Sequence, residues 1–485
     1  MKKRSIWSEE ICEDLYPKLN RNIEVDVLII GGGITGISTA YHLIDSGLKV
    51  CLVEKNLIGS GVTSRTTGKL TYLQEDICSR INTYHGMDKA KLYIESQREA
   101  INIVKDIIDK EKIDCNLERV SSYVFSNFKE KKLNSEIDLL EKIGISVKTA
   151  KCLPSLEKEH SFYVDDTYVF HPIKYIHSLS DICFRRGISI YEDTKIISIV
   201  EENDKYKCLT EDNYIKTKYI VYAMHYPYFL SPFWMIFKSY LEKSYIEAYK
   251  VEENYKYSAI TINKPTISIR YYSDDDINYK FYLSNSHNLA IKNNVESNFQ
   301  DLLEKKSTNP DYIWSNKDIM TIDSLPFIGK INGKKNMLIG TGYNTWGMTN
   351  GSLAGKILSD IILHKDNKYI DLFSPLRKLN VNAVGNIPLI LGSSAYSFMK
   401  TKINKNKRWY SSNVKFETRN GKSVGIYVDE NKKEHIVYNI CPHMKCSLIF
   451  NEVEKTWDCP CHGSRFDLDG KSIEGPSNYN ITYEE

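Results

Sequence analysis

Four cysteines and two histidines crowd the C-terminal part of this sequence. Cys441, His443, Cys459 and His462 form the pattern C-x-H-x15-C-x-x-H, and Cys446 and Cys461 lie within the same two short segments. Thiolates and imidazoles are ligands of soft and borderline transition metals, so this grouping predicts a metal centre held between two tight loops. Zinc is the competing occupant. Zinc fingers pair their histidines as H-x3-5-H, however, and His443 and His462 stand much farther apart. The other seven cysteines, at 12, 51, 78, 115, 152, 183 and 208, are scattered singly, as lone buried thiols are.

A second group of residues, near the N-terminus, has the spacing of a dinucleotide site. Gly31, Gly33 and Gly36 stand in G-x-G-x-x-G register directly after the apolar run Asp26 to Ile30. Glu54 closes the next apolar run, 54 − 31 = 23 positions after Gly31. Gly31 makes the tight turn, Gly33 lets the backbone approach a pyrophosphate, and Gly36 lets helix and strand pack closely. The helix that follows offers unpaired N–H groups and a partial positive charge to the phosphates, and Glu54 accepts hydrogen bonds from the adenosine ribose. The hydroxyl-rich loop from Lys55 to Leu70, with Thr63, Ser64 and Gly68, can follow a diphosphate closely. Far downstream, Asp323 to Gly329 precedes the glycine-rich stretch Gly340 to Gly351, which contains Gly342, Gly347 and Met348.

Regular elements must hold these residues in place. The spacing predicts a buried parallel strand over 26–30, a helix from about Ile34 to Ser46 that stops at Gly47, and a strand over 50–54. Residues 188–200 and 219–223 read as strands, as does Asn336 to Gly340, and Thr266 to Tyr272 alternates like one. At the C-terminal end, Val424 to Val428 and Ile436 to Ile440 alternate as strands, and Asp467 to Gly470 reads as a hairpin turn. The stretch Val381 to Met399 reads as a connector or short packed helix, because Asn386, Pro388 and Gly392 interrupt it. The basic run Lys400 to Arg408 is expected to be a solvated linker face, with a docking patch for an acidic electron-transfer partner as the sharper reading.

Taken together, residues 20–365 resemble the D-amino-acid-oxidase-like (DAO) family of FAD-dependent oxidoreductases. The resemblance rests on the glycine fingerprint, the Thr63–Lys69 loop and the Gly340–Gly342 segment that leads into Trp346-Gly347-Met348. It implies FAD as cofactor, held by Gly31, Gly33, Gly36, Glu54, Lys55, Thr63, Ser64, Gly68, Gly340, Gly342, Gly347 and Met348. It also implies a helix aimed at the flavin pyrimidine edge, whose N-terminus stabilises negative charge on the reduced ring. Met224-His225-Tyr226-Pro227 departs from the commoner Gly-x-Trp of the family. Two residues are candidates for catalysis. Arg270 could hold a substrate carboxylate bidentately, against a bland role on a solvated strand face, and His225 could accept a proton, against a structural role.

The C-terminal pattern resembles the Rieske motif of a [2Fe-2S] cluster, in which Cys441 and Cys459 would hold one iron and His443 and His462 the other. By the same resemblance, Cys446 and Cys461 would form the disulfide that links the loops in high-potential Rieske proteins and that oxygenase-type domains lack. Ser464 would give a hydroxyl hydrogen bond to a cluster sulfur, and Gly475-Pro476 would belong to the covering loop. Phe466 stands where a Tyr is common, and Lys445 replaces a usual Gly. A Rieske oxygenase would also need a mononuclear iron site, for which only His171 and His177 with Asp165 or Asp166 offer themselves.

The expected fold class is an α/β Rossmann-type FAD-binding domain with an interleaved α+β substrate domain, followed by a small all-β Rieske domain. The expected boundaries are 1–365 for the oxidoreductase, 366–412 for a linker and 413–485 for the Rieske domain. Within the first, FAD-binding pieces cover about 20–75, 186–224 and 321–365, and substrate pieces about 76–185 and 225–320. A net charge of +3 on 485 residues gives no reason to invoke nucleic acid. No apolar run follows Met1-Lys2-Lys3-Arg4 and none of about 18 residues occurs elsewhere, so neither export nor a transmembrane segment is expected and the expected location is the cytoplasm. The expected activity is oxidation of a small amine, amino acid or hydroxy compound. Electrons would pass one at a time through the cluster to a small redox protein or quinone. A reductase running the other way and a non-enzymatic redox sensor or electron-transfer module are the alternatives; the sequence has no second G-x-G-x-x-G for a nicotinamide nucleotide.

Overall fold

In the computed structural model, the apolar run around Val27 forms the strand Ile23–Ile30, at the centre of an eight-stranded sheet. The structure describes residues 1–12, 15–126, 131–154, 160–226, 238–274, 276–289, 309–380, 383, 412–452, 454–461, 463–477 and 479–484. Strand Ile23–Ile30 pairs in parallel with Tyr214–Tyr222 on one side and Val50–Val53 on the other. Met337–Thr341 and Ser189–Tyr191 extend the parallel core, and Phe327–Lys330 adds an antiparallel edge. Val27, Leu28 and Ile29 are fully buried, as expected for a parallel strand covered on both faces.

Helix Ile34–His42 and helix Gly347–Ile362 pack on this sheet and touch each other through small residues. A Cβ on Gly355 would lie 2.5 Å from the Ser38 Cβ, and one on Gly351 would lie 2.7 Å from an Ile34 methyl, so the two helix backbones approach as closely as glycine allows. The first helix ends at His42, four residues short of its expected end. There the chain tightens into turns, with the Leu43 N–H bonded to the Ala40 carbonyl and the Ser46 hydroxyl to the Leu43 carbonyl.

A nine-stranded sheet forms the second layer, in the order Tyr312–Thr321, Ser239–Val251, Ile277–Asn288, Ser268–Asp274, Tyr257–Thr261, Glu118–Ser126, His160–Val169 and Lys69–Leu70, with Lys148–Ala150 beside His160–Val169. Helices Ile77–His85, Met87–Glu111, Lys131–Lys142 and Pro172–Arg185 complete this α+β part. Glu136 accepts the Cys78 and Ser79 N–H groups at 2.9 and 2.8 Å and so caps helix Ile77–His85 from another helix.

By backbone proximity the chain forms two units. The first contains Met1–His225, Ser244–Ser286 and Pro310–Gly385; the second contains Tyr226–Lys243, His287–Asn309 and Asn386–Glu485. In the second, Val414–Arg419, Lys422–Val428 and Glu434–Tyr438 form an antiparallel sheet, and Ile449–Asn451, Thr456–Asp458, Arg465–Phe466 and Ser472–Glu474 form another. Trp457, fully buried, packs on Gly425, where any side chain would overlap the indole, and on Phe450 at 4.7 Å between ring centres. The turn expected at Asp467–Gly470 is present, with Gly470 at φ +84° and the Lys471 N–H bonded to the Asp467 carboxylate.

The start of the expected linker is instead part of the first unit. Leu372 and Phe373 are buried in a short helix, Ile370–Phe373, and Arg377 reaches back to Asp323. Its Nε and Nη2 lie 2.6 and 2.8 Å from the two carboxylate oxygens of Asp323, and Nη1 and Nη2 also donate to the Pro326 and Leu325 carbonyls. Burial opposes ionisation of Asp323, but Arg377 outweighs it and holds the carboxyl well below the usual range. The Asp323–Gly329 turn is thus anchored by a residue some fifty positions away. The stretch Val381 to Met399, Ala383 apart, and the basic run Lys400 to Arg408 lie outside the described residues.

Removing Arg377 would leave a buried carboxylate without its partner. Arg377→Leu is expected to destabilise the first unit by about 3–5 kcal/mol, read as a lower urea midpoint with an unchanged m-value. A midpoint within error of the unsubstituted protein would show that the pair carries no such weight.

Candidate functional site

At the C-terminal ends of the parallel strands the glycine fingerprint makes a cradle that no other residue type fits. Gly31 adopts φ +117°, and a Cβ there would lie 2.7 Å from the Ala223 carbonyl oxygen. A Cβ on Gly36 would overlap the Gly31 carbonyl oxygen itself. Gly33 is the N-cap of helix Ile34–His42 and has no side chain to cap it, so the first turn is open to an anion, apart from the Ile34 N–H bonded to Thr63 Oγ1 at 3.2 Å. Glu54 accepts the Gly32 and Asn56 N–H groups at 2.8 and 3.0 Å, which fixes the carboxylate and leaves lone pairs for hydroxyl donors. Lys55 follows, half-buried. Thr63 and Ser64 are buried in the short helix Val62–Arg65, and Gly68 turns the chain at φ +67°.

The downstream glycine segment converges on the same place. Gly340 is crowded by the Tyr343 hydroxyl and a Thr35 methyl, and Gly342, at φ +74°, by Thr321. Tyr343 hydrogen-bonds Thr35 at 2.7 Å. Gly347 begins the helix and Met348 is buried in its first turn. The N-cap, Trp346, gives no side-chain cap, and its indole Nε1 is buried without a hydrogen-bond partner among the described residues. A glycine cradle, two uncapped helix starts and an unused buried donor fit a large diphosphate cofactor with a hydrogen-bonding ring edge, which is what FAD presents.

The two catalytic candidates fare differently. His225 lies at the end of strand Tyr214–Tyr222, with its carbonyl bonded to Thr341 and the neighbouring Met224 backbone beside Gly31. Arg270, a candidate carboxylate clamp or else a residue of a solvated strand face, does not lie on a solvated face. It is buried, its Nη2 donates to the Phe170 carbonyl at 2.9 Å and its Nη1 to the Thr67 carbonyl, and Trp7, Tyr272 and Phe281 box the guanidinium at 5.3–5.7 Å. Burial pushes it down to about 9. By donating from each terminal nitrogen to a backbone carbonyl, it braces the Thr67–Gly68 backbone. Beside it stands Lys69, which the spacing did not single out. Its Nζ is buried and donates to Ala259 O at 2.9 Å and Ser268 Oγ at 2.6 Å, and burial pushes the amine down to about 7.

In the second unit, two loops present the cysteines. The first closes by Lys445 N–H to Cys441 O and Cys441 N–H to Cys446 O, and Lys445 sits at φ +58°. That left-handed conformation is the reason a glycine is usual there. The second closes by Cys459 N–H to Ser464 O and Gly463 N–H to Cys459 O. Cys446 and Cys461 are joined as a disulfide with Cα atoms 6.6 Å apart. Cys441 and Cys459 are buried and stand outside the disulfide. Cys459 beside it pulls the Cys441 thiol down to about 7, with Ser464 and backbone N–H groups adding to the effect against burial. His443 is held below its usual range by burial, which favours the neutral, ligating form. The sulfurs of Cys446, Cys459 and Cys461 lie within 4.8 Å of one another, but two of the three are spent in the disulfide. His462 lies outside the described residues.

Ser464 is fully buried and accepts the Ser477 N–H at 3.2 Å, which leaves its hydroxyl proton for a sulfur. Gly475, at φ +100°, brings the Gly475-Pro476 backbone against Ser464, where a Cβ would lie 2.5 Å from Ser464 Cα. Two buried thiols, a half-buried imidazole and a disulfide-tied loop pair fit a [2Fe-2S] cluster. The residues considered for a mononuclear iron are engaged elsewhere: His171 caps helix Pro172–Arg185, His177 contacts the Ile58 carbonyl, Asp165 pairs with Lys148 and Asp166 with the Tyr72 hydroxyl.

Comparison with known proteins agrees with both sites. The model of the FAD dependent oxidoreductase family (DAO) matches residues 26–361, and that of the Rieske [2Fe-2S] domain matches 402–483. YhfW of Bacillus subtilis, named as a Rieske 2Fe-2S iron-sulfur protein, is 31% identical over 97% of this chain and 95% of its own. Gamma-glutamylputrescine oxidoreductase of Escherichia coli is 23% identical over 74% of this chain and 88% of its own. Glycine oxidase from Geobacillus kaustophilus superposes with a TM-score of 0.60 at 17% identity, covering 73% of this chain and 99% of that one. The chain belongs to the DAO family of FAD-dependent oxidoreductases, enzymes that bind FAD, and carries a Rieske [2Fe-2S] domain toward its C-terminus.

Two outcomes follow from this geometry. Gly36→Ala is expected to abolish flavin retention on purification while the iron content stays unchanged; a full complement of flavin would mean the cradle tolerates a methyl group. For Lys69 the sign is set by a folded-state value near 7 against about 10.4 in the unfolded chain. Between these values the unfolded chain holds the extra proton, so stability of the FAD-free protein rises with pH from about 7 toward 10. Lys69→Met should flatten that rise in urea titrations across the interval; an unchanged slope would assign it to other groups.

Proposed function

We propose that this oxidoreductase is a dehydrogenase of a small amine, amino acid or hydroxy compound that delivers electrons one at a time, through its Rieske cluster, to an external acceptor. The observation that carries the reading is the presence, in one chain, of a dinucleotide cradle and a disulfide-tied pair of cysteine loops. Oxidation of a C–N or C–O bond releases two electrons together, whereas a Rieske centre carries one. A chain equipped with both suits an acceptor that must be visited twice for each donor. The names of its relatives support an amine or amino-acid donor.

Gly31, Gly33, Gly36 and the open start of helix Ile34–His42 would hold the FAD diphosphate, Glu54 the ribose, and Trp346 with the start of helix Gly347–Ile362 the edge of the ring. Cys441, His443, Cys459 and His462 would hold the cluster. Bound FAD would take up the hydride lost by the donor, and the cluster would pass electrons on singly. His225, whose backbone carbonyl is bonded to Thr341 beside the cradle, would take a proton released by the donor. A small redox protein or a quinone is the acceptor this suits. Among the described residues no helix is long and apolar enough to cross a membrane.

Anaerobic titration of the iron-reconstituted protein tests the reading. Amines, amino acids, hydroxy acids and NAD(P)H are added in turn while flavin absorbance and cluster EPR are followed together. An organic donor is expected to bleach the flavin, after which the Rieske EPR signal grows. Reduction by NAD(P)H alone would reverse the direction and make the chain a reductase.

A further inference from the structure

The second unit holds a buried ionic cluster that neither cofactor site uses. Arg465, 2% exposed, lies 2.9 Å from Glu454, 3.2 Å from Asp458 and 3.7 Å from Glu474. Its Nη2 also donates to the Thr456 hydroxyl, which in turn donates to Asp458. Lys243, fully buried, brings a second basic group, with Nζ 3.6 Å from Asp458 and 3.8 Å from Glu454; burial pulls its pKa down, and the two acids oppose that pull and favour the charged form. Asn451 donates to both of these acids, at 2.8 Å to Glu454 and 3.4 Å to Asp458.

Two features of this arrangement matter. Asp458 directly precedes the cluster ligand Cys459, and Arg465 directly follows Ser464, so the ionic cluster is built on the stem of the second cysteine loop. Lys243, by contrast, comes from the middle of the stretch that matches the FAD-oxidoreductase family, yet folds with the second unit. Burying a lysine costs several kcal/mol unless acids receive it. The acids that receive it here belong to the Rieske loop stem.

We infer that Lys243 tunes the [2Fe-2S] cluster: its buried positive charge, held on the stem of the Cys459 loop by Asp458 and Glu454, raises the cluster's reduction potential. Reduction adds one negative charge to the cluster. A cation held near it in a low-dielectric interior stabilises the reduced form more than the oxidised form, and local charge is one of the levers on Rieske potentials. The cluster therefore has its working potential only in the full chain, because the charge that sets it lies outside the 402–483 segment. This inference rests on the reading of the cluster as an electron carrier and deepens it.

The test is an EPR-monitored redox titration of the full-length, reconstituted chain and its variants at one pH. Lys243→Gln is expected to shift the midpoint to more negative potential, Glu454→Gln to more positive potential, and Lys243→Arg to leave it near that of the unsubstituted protein. Loosening of the structure alone would move the two glutamine variants the same way, so that result, or unchanged midpoints in both, overturns the inference. If Lys243→Gln fails to load the cluster, the negative shift is read between Glu454→Gln and the double variant, in which neither charge is left without its partner; no shift there overturns it equally. A missing Rieske signal in the unsubstituted protein would instead refute the cluster assignment itself.

Discussion

The contact between Gly36 and the Gly31 carbonyl is the constraint on which the first unit turns. It draws the start of helix Ile34–His42 onto the end of the central strand, and only a hydrogen fits between them. Once that approach is made, the surrounding pieces have little freedom. Ala223 closes on Gly31 from the neighbouring strand, Glu54 reaches Gly32 from the next, and Thr35 meets Tyr343 from the downstream glycine segment. Residues spread from 31 to 347 thus converge on one cradle because parallel strands all deliver their C-terminal ends to the same edge of the sheet. The small residues between helices Ile34–His42 and Gly347–Ile362 repeat the device, and they bring the second uncapped helix start to the site that the first one opens.

A second theme is how buried charge is satisfied. Asp323 and Arg377 pair directly, Arg465 gathers three acids, and Arg270 lies, among the described residues, against backbone carbonyls and aromatic rings. These solutions have different consequences. A direct pair locks two chain segments, here the Asp323–Gly329 turn and the segment after helix Ile370–Phe373. A carbonyl-bound arginine instead stiffens the loop beneath it, which here is the Thr67–Gly68 backbone. Among the described residues Lys69 has no acid partner, and burial accordingly pushes its amine toward neutrality.

Much of this was legible in the sequence, and the failures have physical causes. The glycine fingerprint, Glu54 and the C-x-H and C-x-x-H segments are local patterns in which spacing alone carries the chemistry, and the strands around them formed where the apolar runs placed them. Arg270 lies buried rather than on a solvated strand face, because alternation along a strand says which face a side chain takes and nothing about what waits there. The aromatic box of Trp7, Tyr272 and Phe281 is assembled from three separate segments. Arg377, Glu136 and Lys243 were missed for the same reason: each acts on a partner far away in sequence, and a lone charged residue leaves no periodic trace. The linker was expected to begin at 366, where Asp366-Asn367-Lys368 is polar, whereas the hold of this segment on the fold comes from the buried side chains of Tyr369, Leu372 and Phe373 and from Arg377.

Lys445 shows how a departure from a family pattern can be absorbed. A left-handed residue in the first cysteine loop is required for the Lys445 N–H to reach the Cys441 carbonyl, and glycine reaches that conformation without a steric penalty. Lysine reaches it at a cost of roughly 1 kcal/mol, which the loop can bear because its other end is fixed by the Cys446–Cys461 disulfide and by the Cys441 N–H bonded to the Cys446 carbonyl. The substitution therefore leaves the backbone path between Cys441 and Cys446 intact and changes only the charge displayed on the loop. Backbone geometry and electrostatics are separable here. The loop keeps the shape that places Cys441 and His443, while the charge on its surface is free to vary.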